Sequence, residues 1–124
     1  MTRWYDKRQA AGFPVLVAEM AAKVVGYASY GAFRKGEGYR HTVEHTVYVE
    51  AGARSRGIGR ALLDALVNDA QGRGLAVMVG GVSADQPASL ALHRAMGFRE
   101  EGRLRHVGEK HGRSLDLVFM CRRL

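Results

Sequence analysis

The sequence is poor in cysteine, proline, aromatics and long apolar runs, and each shortage excludes something. Its single cysteine, Cys121, excludes an internal disulfide framework and any multi-cysteine metal site. Its apolar stretches, such as residues 75–79, fall far short of the roughly 18 to 20 residues that a spanning helix needs, so no membrane segment is expected. The opening residues Met1-Thr2-Arg3-Trp4-Tyr5-Asp6 lack the apolar core of a secretory signal, which makes the cytoplasm the expected location. Aromatics make up 8% of the residues and are not interleaved with the basic ones. That pattern argues against a nucleic-acid surface, despite a net charge of +7.

What is present is enough for one core. The chain has 124 residues, 47% of them hydrophobic, and shows no repeat, linker or low-complexity tract, so residues 1–124 read as a single domain. Glycine is abundant at 16 residues, about twice ordinary usage.

Periodicity then assigns the elements. Residues 4–11 read as one or two helical turns closed by Gly12 and Pro14. Residues 15–18 and 24–30 are short apolar runs that predict a hairpin, 31–40 a loop, and 41–49 a strand ending in Thr46-Val47-Tyr48-Val49. Residues 60–71 repeat apolar positions at i, i+3 and i+4, which predicts a helix closed by Gly72-Arg73-Gly74. A strand is expected at 77–79 and a helix at 87–96, opened by Pro87 and ended by Gly97. Two closing strands are expected at 98–104 and 115–122, joined through residues 108–112. The class is α/β, a mixed central sheet flanked by helices.

The most informative stretch is Arg54-x-x-Gly57-x-Gly59-x-Ala61, a glycine-rich turn between a buried strand and a helix N-terminus. Unpaired N–H groups and the helix dipole favour an anion there. A P-loop would need Gly-Lys-Ser/Thr, but Gly59 is followed by Arg60-Ala61. A dinucleotide fingerprint would need a third glycine where Leu62 stands and an acidic residue near residues 77–81. His41 and His45 have a zinc-like spacing only on a helix; on a strand about 13 Å separates them, so no metal is expected.

The glycine turn resembles the pyrophosphate loop of the GNAT acetyltransferases. Leu92-His93-Arg94-Ala95-Met96-Gly97-Phe98 resembles that family's second signature. Residues 26–31, 38–49 and 115–120 look like those of phosphinothricin and methionine sulfoximine acetyltransferases. The likeness runs from about Trp4 to the last residue.

That resemblance implies an acyl-CoA N-acyltransferase (GNAT) fold and a function, acetyl transfer from acetyl-CoA to the α-amine of a small amino acid or analogue. It implies that Arg54, Ser55, Arg56, Gly57, Ile58, Gly59 and Arg60 cradle the pyrophosphate. Val47, Tyr48 and Val49 would meet the pantetheine, and Gln86 and Ser89 would touch the cofactor, with Gln86 standing where the family usually has Asn. Glu44 is the candidate general base. His93 is the candidate acid for the departing thiolate, with a packed histidine bonded to backbone as the alternative. Arg34, Lys35, Gly36, Glu44, His45 and Thr46 match substrate-contacting positions. The resembled enzymes usually carry aromatics where Gly36 and Ser114 stand, so ring surface is missing near the acceptor pocket. They are commonly homodimers, and they have a first strand and first helices that this chain is expected to lack, leaving a sheet edge bare. Two other readings stay open: a truncated module that binds acetyl-CoA without turnover, and an acetyltransferase-like protein acting on a tRNA-linked or protein amine.

Overall fold

The structure, a computed structural model, describes residues 2–8, 12–54 and 56–124, the first of these stretches by its backbone alone. Among the described residues seven strands form one sheet: β1 (Thr2–Arg8), β2 (Pro14–Met20), β3 (Lys23–Ala32), β4 (Thr42–Val49), β5 (Val77–Ser83), β6 (Arg99–Lys110) and β7 (Arg113–Arg123). Their spatial order is β1-β2-β3-β4-β5-β7-β6. Every pairing is antiparallel except β4 with β5. Helix α1 (Ile58–Gly72) makes that parallel crossover, and α2 (Pro87–Ala95) links β5 to β6.

Register decides what each face carries. The rung Tyr30–His45–Gly80–Met120 crosses four strands, and so does the next rung, Gly31–Glu44–Val79–Cys121. Successive residues of a strand point to opposite faces, so His45 and Glu44 face opposite ways. The His45 face is the covered one. Helix α1 lays Ile58, Leu62, Leu63, Leu66, Val67 and Ala70 on it, and Leu62 packs against Gly26, where a Cβ would come within 2.8 Å of the Tyr48 carbonyl. Helix α2 covers the same face through His93. Among the described residues no helix lies on the Glu44 face, and Tyr27 and Tyr48 stand half-exposed there, ring to ring at 5.7 Å.

Both helices end alike. Gly74, at φ 74°, follows α1 while Leu75 N–H donates to Ala70 and Gly74 N–H to Gln71. After α2, Gly97 is at φ 88°, with Phe98 N–H donating to His93 and Gly97 N–H to Arg94. Both are Schellman closures, which need a left-handed residue and choose glycine for it.

Several expectations change. The helix expected over residues 4–11 is strand β1, paired with β2 from Thr2↔Met20 to Arg8↔Pro14. A helix of that length is marginal alone, while a neighbouring strand satisfies every second backbone group and suits Trp4 and Tyr5. Residues 9–11 lie outside the described residues. The edge expected to be bare, along β2, is therefore occupied by β1. The strand expected at 77–79 runs on through Gly80-Gly81 to Ser83, and the connector expected at 108–112 shrinks to a two-residue turn, His111-Gly112. The 31–40 loop yields its start to β3 and contains a 3-10 turn, Glu37–Tyr39. The predicted β2–β3 hairpin is present, closed by Ala21 and Ala22 at φ 49° and 63°.

Two opposite stability changes follow. Leu66, fully buried between α1 and the sheet, should cost about 2–5 kcal/mol when cut to alanine, read as a lower urea midpoint at unchanged slope. Ala22→Gly relieves a left-handed alanine and should stabilise by about 1 kcal/mol, a rise of a few degrees in Tm.

Candidate active site

The parallel ladder between β4 and β5 starts at Thr42↔Val77 and stops at His45↔Gly80. Beyond that rung, Thr46–Val49 keep their pairing with β3, and Gly81–Ser83 keep theirs with β7. The two strands therefore part, and among the described residues no strand pairs with the β4 edge over residues 46–49 on that side. Backbone groups on that edge can meet a ligand, apart from the Val49 carbonyl, which accepts from Arg54.

The cleft opens toward the N-terminus of α1. Gly57 caps that helix in the left-handed conformation, φ 77° and ψ 7°, and as a glycine offers its first-turn N–H groups no side-chain cap. Close packing holds the turn in place: a Cβ on Gly59 would touch Leu92 of α2 at 3.4 Å and Val49 of β4 at 3.6 Å. Arg54 donates from Nε to the Val49 carbonyl at 3.2 Å, while Arg56 and Arg60 are exposed. Uncapped amides, a helix dipole and three guanidinium groups suit a pyrophosphate. Ser55 lies outside the described residues. Across the cleft Gln86 is the N-cap of α2, and Ser89 lies one turn in. The amides and charges thus lie at the mouth of a split strand pair, a fit for a long ligand with a phosphate end.

The two faces of the cleft differ. Glu44 is exposed, with a carboxylate oxygen 3.8 Å from where a Cβ on Gly81 would sit, and Thr46 and Tyr48 follow it on that face. On the covered face His45 and His93 are 6% and 4% exposed. His45 Nδ1 donates to the Val79 carbonyl at 2.9 Å, and His93 Nδ1 donates to the Ser89 carbonyl at 2.7 Å. Their Nε2 atoms meet at 2.9 Å. Phe98 packs on both rings, 5.4 and 5.1 Å between centroids. Burial pushes His45 down to about 4, against the pull of the Val79 carbonyl, and the charge of His93 adds to the fall. Burial also lowers His93, against its bond to Ser89.

Of the residues expected at the site, Glu44, Thr46 to Val49, Arg54, Arg56 to Arg60, Gln86 and Ser89 lie around the split strand pair and the two helix starts, and His93 is packed on its covered face. Arg34, Lys35 and Gly36 stand in the β3–β4 connection at the far end of β4, exposed, with the Arg34 guanidinium over the Phe33 ring at 5.3 Å. His45, expected beside Glu44 and Thr46, points the other way and meets His93. The sequence reading missed Gly80 and Gly81, and held Phe98 only as the end of a motif. A Cβ on Gly80 would lie 2.2 Å from His45 Cε1, so the imidazole needs a glycine beneath it. A Gly-Gly pair reads as a strand stop, which hid this part of β5.

Comparison with known proteins agrees with this geometry. Residues 1–98 match the Acetyltransferase (GNAT) family. The chain is 50% identical over 118 residues to the L-methionine sulfoximine/L-methionine sulfone acetyltransferase of Pseudomonas paraeruginosa, covering 94% of this chain and 69% of the relative. It is similar in structure to ribosomal-protein-alanine N-acetyltransferase from Brucella melitensis, with TM-score 0.86 and 54% identity over 92% of this chain and 70% of that one. The Salmonella typhimurium protein yncA, solved with its cofactor acetyl-CoA, gives TM-score 0.86 and 45% identity, over 91% of this chain and 65% of that one. A split β4–β5 pair facing an uncapped glycine turn, together with a family match across most of its length, places this chain in the GNAT acetyltransferase family.

Proposed function

We propose that the chain is an acetyl-CoA-dependent N-acetyltransferase acting on the α-amine of a small amino acid or analogue, methionine sulfoximine and phosphinothricin being the model acceptors. The observation that carries this reading is the parting of β4 and β5 after His45↔Gly80, with Glu44 one rung before it on β4. Acetyl-CoA supplies an activated acetyl thioester. The residues to hold it are Val47, Tyr48 and Val49 along the strand edge, Arg54, Ser55, Arg56, Gly57, Ile58, Gly59 and Arg60 at the helix turn, and Gln86 and Ser89 opposite.

Glu44 is the group to take the ammonium proton, directly or through a water. An α-amine of pKa near 8 is already about one-tenth free base at pH 7, so the demand on Glu44 is smaller than a lysine acceptor would make. His93 reaches the thiolate only if it lets go of a partner, because both its ring nitrogens are engaged. Arg34 is the candidate clamp for the acceptor carboxylate, with Lys35, Gly36 and Thr46 beside the acceptor path. A homodimer in the cytoplasm fits the half-exposed Tyr27 and Tyr48 on the uncovered face, which a second copy would shield.

One observation favours a second reading, a module that binds acetyl-CoA without turnover: the Glu44 face carries no covering helix among the described residues, so Glu44 stands in water. Thiol release from acetyl-CoA with methionine sulfoximine and a panel of amino acids decides between them. Turnover with any of these acceptors supports the enzyme, and tight acetyl-CoA binding with no thiol released supports the module.

Two variants test the roles. Glu44→Gln should lower kcat/KM about 100-fold at pH 7 and less at pH 9, where the acceptor amine is already free base; a flat ratio across pH removes Glu44 as base. Arg56→Ala and Arg60→Ala should each raise KM for acetyl-CoA about fivefold with kcat nearly unchanged, the mark of lost ground-state binding.

A further inference from the structure

The four ring nitrogens of His45 and His93 make three contacts: Nδ1 to the Val79 carbonyl, Nδ1 to the Ser89 carbonyl, and Nε2 to Nε2. Carbonyl oxygens only accept, so each Nδ1 must carry a proton. The Nε2 contact at 2.9 Å needs a proton as well, since two bare lone pairs at that distance repel. Three contacts call for three protons, while two neutral imidazoles hold two. We propose that His45 and His93 form one proton-binding unit, a single proton held between their Nε2 atoms, and that His45 is thereby the positioning residue that sets the direction and protonation of the His93 ring.

The seat of the pair is built for it. His45 lies flat on Gly80 at the last rung of the parallel ladder, and Phe98 walls both rings. The Schellman closure that buries Phe98 receives its N–H at the His93 carbonyl, so the helix end, the aromatic wall and the ring are fixed together. One charge is the limit: a second proton would set two cations side by side with no carboxylate on any of the four nitrogens. Among the described residues, the charged and titratable groups near the pair hold other partners or are exposed. Tyr30, its cross-strand neighbour on β3, donates to Asp69 of α1. Arg122 of β7 donates to the Met96 carbonyl, Arg94 of α2 is exposed, and Glu44 is on the other face of the sheet; β5 brings only backbone and Gly80. Burial opposes the charge, so uptake of the third proton falls below the ordinary histidine range.

The pair is independent of the acceptor; its use in catalysis rests on the acetyltransferase reading. The test is a nitrogen NMR titration of the histidine-labelled full chain from about pH 8 to about pH 4.5. The expected result is that both rings keep Nδ1–H throughout and that the two Nε2 signals move together at one midpoint below 6.5. Separate midpoints, or a ring whose Nδ1 carries no proton across the range, overturn the proposal. In His45→Leu, His93 loses its acceptor, and its proton affinity should fall at least tenfold; an unchanged or raised midpoint also overturns it. The same variant should shift the pH profile of kcat while leaving KM for acetyl-CoA unchanged, which a packing role would not do. The titration needs no turnover, so it decides the pair even where acetyl transfer fails.

Discussion

The end of the parallel ladder at His45↔Gly80 is the constraint on which the rest depends. A sheet closes over its whole length unless something makes continued pairing costly. Here an imidazole rests on a glycine at the last rung, its Nδ1 bonded to the carbonyl of the residue before that glycine. β4 follows β3 from there on, β5 follows β7, and the space between them is the cleft. Widening it is what exposes the amides of residues 46–49 and brings them in line with the uncapped turn of α1.

That rung also divides the chemistry. Glu44 and His45 are neighbours in sequence, yet a strand turns them to opposite faces, one into solvent and one into a packed layer of helix and aromatic ring. The carboxylate stands exposed on the open face. An imidazole buried against a second imidazole is held in direction, with its charge suppressed by burial. The covered face supplies rigidity and the open face supplies access, which is a common division for sites built on one side of a sheet.

Much of the fold is legible in the chain because its signals are local. The 3.6-residue repeat of α1, Pro87 at the start of α2, and glycines at 74 and 97 where left-handed backbone is needed all act within a few residues. The N-terminal strand is not local. Residues 2–8 carry no period strong enough to choose between helix and strand, and the choice falls to the pairing with β2. Gly80-Gly81 misleads for the same reason, since a glycine pair that ends a strand in isolation continues one when a ring must lie on it and a neighbouring β7 supplies the hydrogen bonds.

The sequence by itself determined the glycine turn, the helix that follows it, the strand that leads into it and the residues along both. Spacing and residue type are enough for those, because a helix N-terminus presents its amides wherever it is folded. The tertiary structure alone decided which residues meet across long separations. His45 and His93 are 48 positions apart, and only the register of β4 on β5 together with the crossing of α2 over that face brings their Nε2 atoms to 2.9 Å. A sequence can list both histidines, but whether they share a proton is a property of two packed elements and of the glycine and phenylalanine that hold the rings in place.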